Sequence, residues 1–143
     1  MDAFDADVLI YAATVDHPLG RRVRALFPRV LTDATELAGV GSIMLVPELL
    51  TKPLRDEAAG ELEGLGELLG RLDLRAVDPA TARLATILGA EYGLRALDAV
   101  HLATAVGSGA RRFITNNSSD FPKDITEIAI TYPGDLRDPE ADR

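Results

Sequence analysis

The sequence predicts an α/β protein, a mostly parallel sheet covered by helices on both faces. Short apolar runs with β-branched residues, Arg112-Phe113-Ile114-Thr115 and Ile128-Ala129-Ile130-Thr131, read as buried strands. Longer segments between them and the N-terminus repeat their apolar residues at helical spacing. The two kinds alternate along the chain, the pattern of parallel strands joined by helical crossovers.

Asp2-Ala3-Phe4-Asp5-Ala6-Asp7 reads as a short strand running into a turn, and Val8 to Ala13 as the apolar start of a helix. Leu19, Val23, Leu26 and Phe27 keep helical spacing, with Arg21, Arg22 and Arg24 between them, until Pro28 stops the helix. Residues 32–41 read as loop because they contain Gly39 and Gly41. A helix is expected from Ser42 to Thr51, bent or restarted at Pro47 and ended by Pro53. From Asp56 to Arg71 a helix is expected, with Leu62, Leu65, Leu69 and the following Leu72 on one helical stripe. Leu74-Arg75-Ala76-Val77 is strand-like, and Asp78-Pro79 is a helix start with proline at the first helical position. Leu84, Ile87 and Leu88 supply that helix with a buried face, and Gly93 closes it. A further helix runs from near Asp98 to about Val106.

Gly60, Gly64, Gly66 and Gly70 each cost about 0.8–1 kcal/mol in a helix interior. Two readings stand open: a close helix–helix approach, as at a dimer interface, or a broken helix. Residues 1–134 form one domain in this reading, and 135–143 a polar, frayed tail.

Composition narrows the chemistry. The 143 residues are 47% apolar and 27% charged, with mean hydropathy +0.07. A chain of this length buries roughly 70% of its unfolded surface, enough for a core without staples. Fifteen Lys and Arg against twenty-three Asp and Glu leave a net charge of −8, which excludes a general basic nucleic-acid coat but not a local basic face. The absence of Cys excludes disulfides, thiolate metal sites and Cys nucleophiles, and two His exclude a His-rich cage. No apolar run approaches the ~20 residues of a membrane span, and the acidic start is the opposite of a signal peptide, so the expected location is the cytoplasm.

In an open parallel sheet ligands collect beyond the carboxyl ends of the strands, so acids there are the candidates. Asp5 ends the first strand, Asp98 opens a helix, and Thr115-Asn116-Asn117-Ser118-Ser119-Asp120 follows a strand with a run of oxygen-bearing side chains. Glu48 lies in the apolar stretch Met44 to Leu50, where a buried carboxylate needs a partner or a metal. Each has a plainer role available. Asp5 and Asp98 could serve helix starts, Glu48 could face solvent, and Asn117 and Ser118 could be turn residues. His101, one turn after Asp98, reads as structural with a possible bond to that carboxylate; His17 reads as a loop residue.

Taken in order, Phe4-Asp5-Ala6-Asp7-Val8-Leu9-Ile10-Tyr11, Leu45-Val46-Pro47-Glu48-Leu49-Leu50, Tyr92-Gly93-Leu94-Arg95-Ala96-Leu97-Asp98-Ala99-Val100-His101-Leu102-Ala103-Thr104-Ala105 and Phe113-Ile114-Thr115-Asn116-Asn117 with Asp120-Phe121 resemble the PIN-domain ribonucleases. The match is to the small single-domain kind that includes VapC-type toxins, and it spans about residues 3 to 133. The resemblance implies a three-layer α/β/α fold with a central, mostly parallel five-stranded sheet. It also implies a Mg²⁺- or Mn²⁺-dependent endoribonuclease in which metal-activated water attacks phosphorus and leaves 5′-phosphate and 3′-hydroxyl ends. Asp5, Glu48 and Asp98 match the three leading acids; Asn117 stands where many members carry a fourth Asp, and either Asn117 or Asp120 would complete the shell or a second site; Asp7 replaces a more usual Ser, Thr or Asn. Asp5 and Asp98 are then direct metal ligands and Glu48 a direct or water-mediated one, with Thr115 positioning Asp5 or a water.

Arg21, Arg22, Arg95 and Arg112, with Arg24 and Arg111, are candidates for an RNA-facing rim or else solvated helix edges. The toxin type implies a small antitoxin partner, and a homodimer is common in that family. Two alternatives remain. The domain could be a catalytically degenerate PIN fold that binds RNA or protein. It could also be a haloacid-dehalogenase-like phosphatase, because Asp5-Ala6-Asp7 is similar to that family's acid pair, although Val8-Leu9-Ile10 departs from its continuation.

Overall fold

The computed structural model describes residues 1–27 and 36–141. The chain order is β1 (Asp2–Phe4), α1 (Ala6–Ala13), α2 (Pro18–Arg24), β2 (Gly39–Ser42), α3 (Leu45–Arg55), α4 (Ala59–Leu69), β3 (Leu72–Arg75), α5 (Pro79–Tyr92), α6 (Ala96–Gly107), β4 (Arg112–Ile114), β5 (Ala129–Thr131) and a 3-10 turn at Pro133–Asp135. The five strands form one parallel sheet in the order β3-β2-β1-β4-β5. From β1 the chain builds outward to β2 and β3 on one side and to β4 and β5 on the other. The C-terminal ends of β1 and β4 therefore flank a topological switch point.

Alternation along the strands divides the core into two layers. Phe4, Leu72 and Ile114 pack with Val8, Leu9, Val23, Leu45, Leu65 and Leu69 from α1 to α4. Ala3, Val40, Phe113 and Ile130 face the opposite side, with Leu88 of α5 and Leu102 of α6. This is the expected three-layer α/β/α arrangement.

Several local expectations change. Residues 39–41, read as loop, open β2, and all of Gly39 to Ser42 is buried. The glycines are there for close packing. A Cβ on Gly39 would lie 2.3 Å from the Asp2 carbonyl oxygen and 2.7 Å from Phe4, and one on Gly41 would lie 2.6 Å from Leu45. Residues 32–35 and Pro28 lie outside the described residues.

The first helix is two. Asp16 has φ 62°, and His17 caps α2 by accepting from the Gly20 N–H at 3.1 Å, with Pro18 at the first helical position. Pro47 sits in the first turn of α3, where its missing N–H is no loss, and Pro53 lies buried inside α3 rather than ending it. Leu72 belongs to β3 instead of the preceding helix, and that strand precedes the expected one by two residues because Leu72 pairs with Gly39. α4 is an intact helix, so the broken-helix reading falls. Gly60 and Gly66 have open space beside them, and a Cβ on Gly64 would be 4.0 Å from that of Ala13.

The start of the tail is docked, and Asp138 and Glu140 pair with Arg21 and Arg22. Leu136 is in the core, and Arg22 Nη1 donates to the carbonyls of Gly134 and Leu136, both at 3.0 Å. Among the described residues no helix is long and apolar enough to cross a membrane.

Candidate active site

Asp5 follows β1 directly and starts α1. Its Oδ1 accepts from the Ala6 N–H at 2.8 Å, its Oδ2 accepts from Thr115 Oγ1 at 2.8 Å, and its own N–H reaches the Ile114 carbonyl at 2.9 Å. The helix-cap role and the strand-end position thus belong to the same side chain. Only 5% of Asp5 is exposed. Burial pushes its carboxyl up and the Asp98 charge adds to that, while His101 and the hydrogen bonds from Thr115 and Ala6 oppose it.

Asp7 lies near Asp5 and Asp98, in the first turn of α1. Its Oδ2 accepts from the Asn116 N–H at 3.0 Å, while Oδ1 is buried with no hydrogen-bond partner. Burial, then the Asp5 charge, push this carboxyl up to about 7. Asp98, in the first turn of α6, is half-buried and also raised, first by desolvation and then by the charge of Asp120, with Glu48 adding to it.

The loop after β4 is braced from within. Asn117 Nδ2 donates to Asp120 Oδ2 at 2.8 Å, and Asn117 Oδ1 accepts from the Asp120 N–H and from Ser119 Oγ. Asn117 and Asp120 therefore act as a unit, with Asp120 the stronger electrostatic neighbour of Asp98. Ser118 is exposed in a turn, its N–H on the Asn116 carbonyl. Asn116 Nδ2 donates to the Tyr11 hydroxyl at 3.1 Å, and the Tyr11 ring stacks on His17 at 4.4 Å.

Glu48 arrives from the first turn of α3, where it meets His101 Nε2 at 2.5 Å. His101 is therefore bonded to Glu48 and not to Asp98. That link and the Asp7–Asn116–Tyr11 chain went unforeseen. The available signal was Glu48 itself, a carboxylate in an apolar stretch that required a partner.

The arginines divide by position. Arg95 holds the N-cap position of α6 at the surface, beside Asp98. Arg112 binds both oxygens of Asp2 at 2.9 and 2.8 Å, at the start of β4 and β1. That is the end of the sheet opposite Asp5, so Arg112 drops out of a rim around the acids, as does Arg111, whose N–H holds the Met1 carbonyl there. Arg21 and Arg22 pair with Asp138, Arg21 also with Glu140, and Arg24 donates to the Ala12 carbonyl; these side chains are engaged with the tail and α1.

A family model of the PIN domain matches residues 3–123. The chain belongs to the PIN-domain family. Its fold is similar to that in a toxin–antitoxin complex from Klebsiella pneumoniae, with TM-score 0.72 at 20% identity, covering 93% of this chain and 98% of that one. It is also similar to VapBC2 from Rickettsia felis, solved bound to a promoter DNA fragment, with TM-score 0.68 at 17% identity and coverage of 92% and 97%. No curated protein matches the sequence.

As a PIN domain, the chain sets aside the phosphatase reading of Asp5 and Asp7. Its acids supply the donor chemistry of a hard divalent cation, carboxylate oxygens and one unpaired buried oxygen on Asp7. Among the described residues, no three His, Asp or Glu side chains stand together as a metal-holding group. The donors fit such an ion; a closed ligand shell is not preformed.

Proposed function

We propose that this PIN domain is a Mg²⁺- or Mn²⁺-dependent endoribonuclease and the toxin component of a toxin–antitoxin pair. The observation that carries the reading is the crowding of Asp5, Asp7 and Asp98 beside the switch point, each carboxyl raised by burial and by a neighbouring carboxylate. Carboxylates held this way repel one another unless a proton or a cation intervenes. An ion with several waters needs only a few of them as ligands. When bound, it supplies an activated water and stabilises charge developing on the scissile phosphate.

Asp5 and Asp98 would hold the ion directly, and Glu48 directly or through a water. Thr115 keeps one Asp5 oxygen aimed by its hydrogen bond. Asn117 fixes Asp120, which stands in for the missing fourth acid. Asp7 lends a further carboxylate whose free oxygen faces no protein donor. Arg95 is the arginine placed to meet an RNA phosphate near these acids.

The two similar structures are toxin–antitoxin assemblies, one bound to promoter DNA, which supports a small antitoxin as partner. A basic side chain from it would suit the acidic site. A second copy could approach α4, where Gly60 and Gly66 leave the backbone open; analytical ultracentrifugation tests that dimer.

Cleavage of RNA with and without Mn²⁺ tests the enzyme. Asp98→Asn is expected to slow Mn²⁺-dependent cleavage by about 100-fold or more, the scale of losing transition-state charge stabilisation, while remaining folded. Unchanged cleavage would sink the assignment. A wild-type protein that neither binds Mn²⁺ by calorimetry nor cuts RNA would favour the second reading, a PIN module that binds RNA or protein without cutting, for which Asn117 at the fourth acid position speaks.

A further inference from the structure

Glu48 and His101 approach each other from different layers of the molecule. Glu48 rides on the first turn of α3 with its side chain 28% exposed, whereas the His101 side chain on α6 is 1% exposed. Nε2 donates to Glu48 Oε2 at 2.5 Å, and the other ring nitrogen, Nδ1, is buried with no hydrogen-bond partner. A buried polar atom left unpaired costs about 1–3 kcal/mol, so packing alone is a poor reason for an imidazole here; an apolar ring or Leu would fill the space without that cost. The ring is held by its helix. Leu102, Ala103 and Ala105 of α6 are fully buried against the sheet. Glu48, by contrast, is a long side chain at the surface, with freedom to turn toward solvent.

We propose that His101 is a positioning residue, a rigid donor anchored in the core that holds the Glu48 carboxylate beside Asp98. The orientation of the acid from α3 is thereby set by α6, one turn from the acid that α6 itself supplies. The hydrogen bond stands independently of any activity; its consequence for a cation rests on the nuclease reading. Residues that orient a ligand from behind contribute about 10–100-fold to metal affinity in sites of this kind.

Two measurements on the full chain test this. The first is the side-chain carboxyl ¹³C shift of Glu48 in metal-free protein. It is expected to move in His101→Leu while those of the distant Glu61 and Glu127 stay in place. The second is Mn²⁺ affinity by titration calorimetry. His101→Leu is expected to weaken it about ten-fold. His101→Gln, whose amide can still donate, should return to within about three-fold of wild type, and adding Glu48→Gln to His101→Leu should weaken it no further than the worse single change. If His101→Leu does not fold, His101→Asn, polar but too short to reach Glu48, takes its place. An unmoved Glu48 signal, an affinity within about two-fold of wild type, or losses that add in the double variant would overturn the proposal. Should wild type bind no Mn²⁺, the cation reading fails, and the Glu48 signal alone decides the positioning.

Discussion

Thr115 Oγ1 donates to Asp5 Oδ2 at 2.8 Å, and the same oxygen accepts the Asn117 N–H at 3.1 Å. One buried hydroxyl thus joins the end of β1 to the loop after β4, across the switch point of the sheet. Thr115→Val keeps the shape and removes both bonds, leaving a buried carboxylate oxygen and an N–H without partners. The expected loss is about 2–3 kcal/mol in urea unfolding, whereas Thr115→Ser should lose less than about 1 kcal/mol. Equal stability of Val and Ser variants would show that the bond contributes nothing.

The Asp7 carboxyl sits at about 7, above its ordinary 3.8. A carboxyl raised in the folded state binds more protons folded than unfolded, so its stabilising contribution is full below about pH 4 and is lost as pH rises through about 7. Metal-free protein should therefore lose stability between about pH 4 and pH 7. Asp7→Asn should flatten that decline and exceed wild type at pH 8 by about 1–2 kcal/mol, allowing for solvent that reaches the half-buried group. Asp5 and Asp98, raised in the same direction, keep part of the slope. Urea titrations across this range check it, and an unchanged slope in Asp7→Asn would assign the effect elsewhere.

Arg112 and Arg95 lie at opposite ends of the sheet, and RNA binding should tell them apart. Arg112→Ala removes a two-pronged bond to Asp2; it should cost about 1 kcal/mol of stability and leave the salt dependence of RNA binding unchanged. Arg95→Ala should lower the slope of log affinity against log salt by about 0.7, one single-strand phosphate contact. Fluorescence anisotropy at several salt concentrations measures both, and the reverse pattern would move the RNA to the other end of the sheet.

Leu136 is 6% exposed and packs into the α1–α4 layer. Leu136→Ala should cost about 2–3 kcal/mol in urea unfolding. Deleting residues 138–143 removes the ion pairs of Asp138 and Glu140 to Arg21 and Arg22 and should cost less than about 1 kcal/mol. A larger effect from the deletion than from Leu136→Ala would reverse the relative weights of core and ion pairs.

The parts of this protein readable along the chain were the local ones. Asp78 with Pro79 and Gly93 bracket α5 because a cap oxygen and a left-handed glycine act within a turn of themselves; Gly93 has φ 66° and Asp78 accepts from the Thr81 N–H at 2.8 Å. Asp5 was legible as an acid at a strand end for the same reason. β2 was not. Its Gly-Val-Gly-Ser has the composition of a turn, and its glycines make sense only once β1 and Leu45 lie against them. His101 showed one turn of spacing from Asp98, but a partner 53 residues away on α3 has no local signature. The arginines looked alike in the sequence, although Arg112 was already committed to Asp2 across the register of β1 with β4.

Periodicity and caps by themselves predicted a parallel α/β protein with Asp5 at a strand end, and the order of its motifs carried the resemblance to PIN domains. Tertiary structure decided which side chains meet: that Asp5 bonds Thr115, that Glu48 bonds His101, and that Arg112 stands at the far end from both. The physical reason is the strand order β3-β2-β1-β4-β5. It makes neighbours of segments separated by about a hundred residues, and contacts of that range leave no periodicity in the chain for a local rule to read.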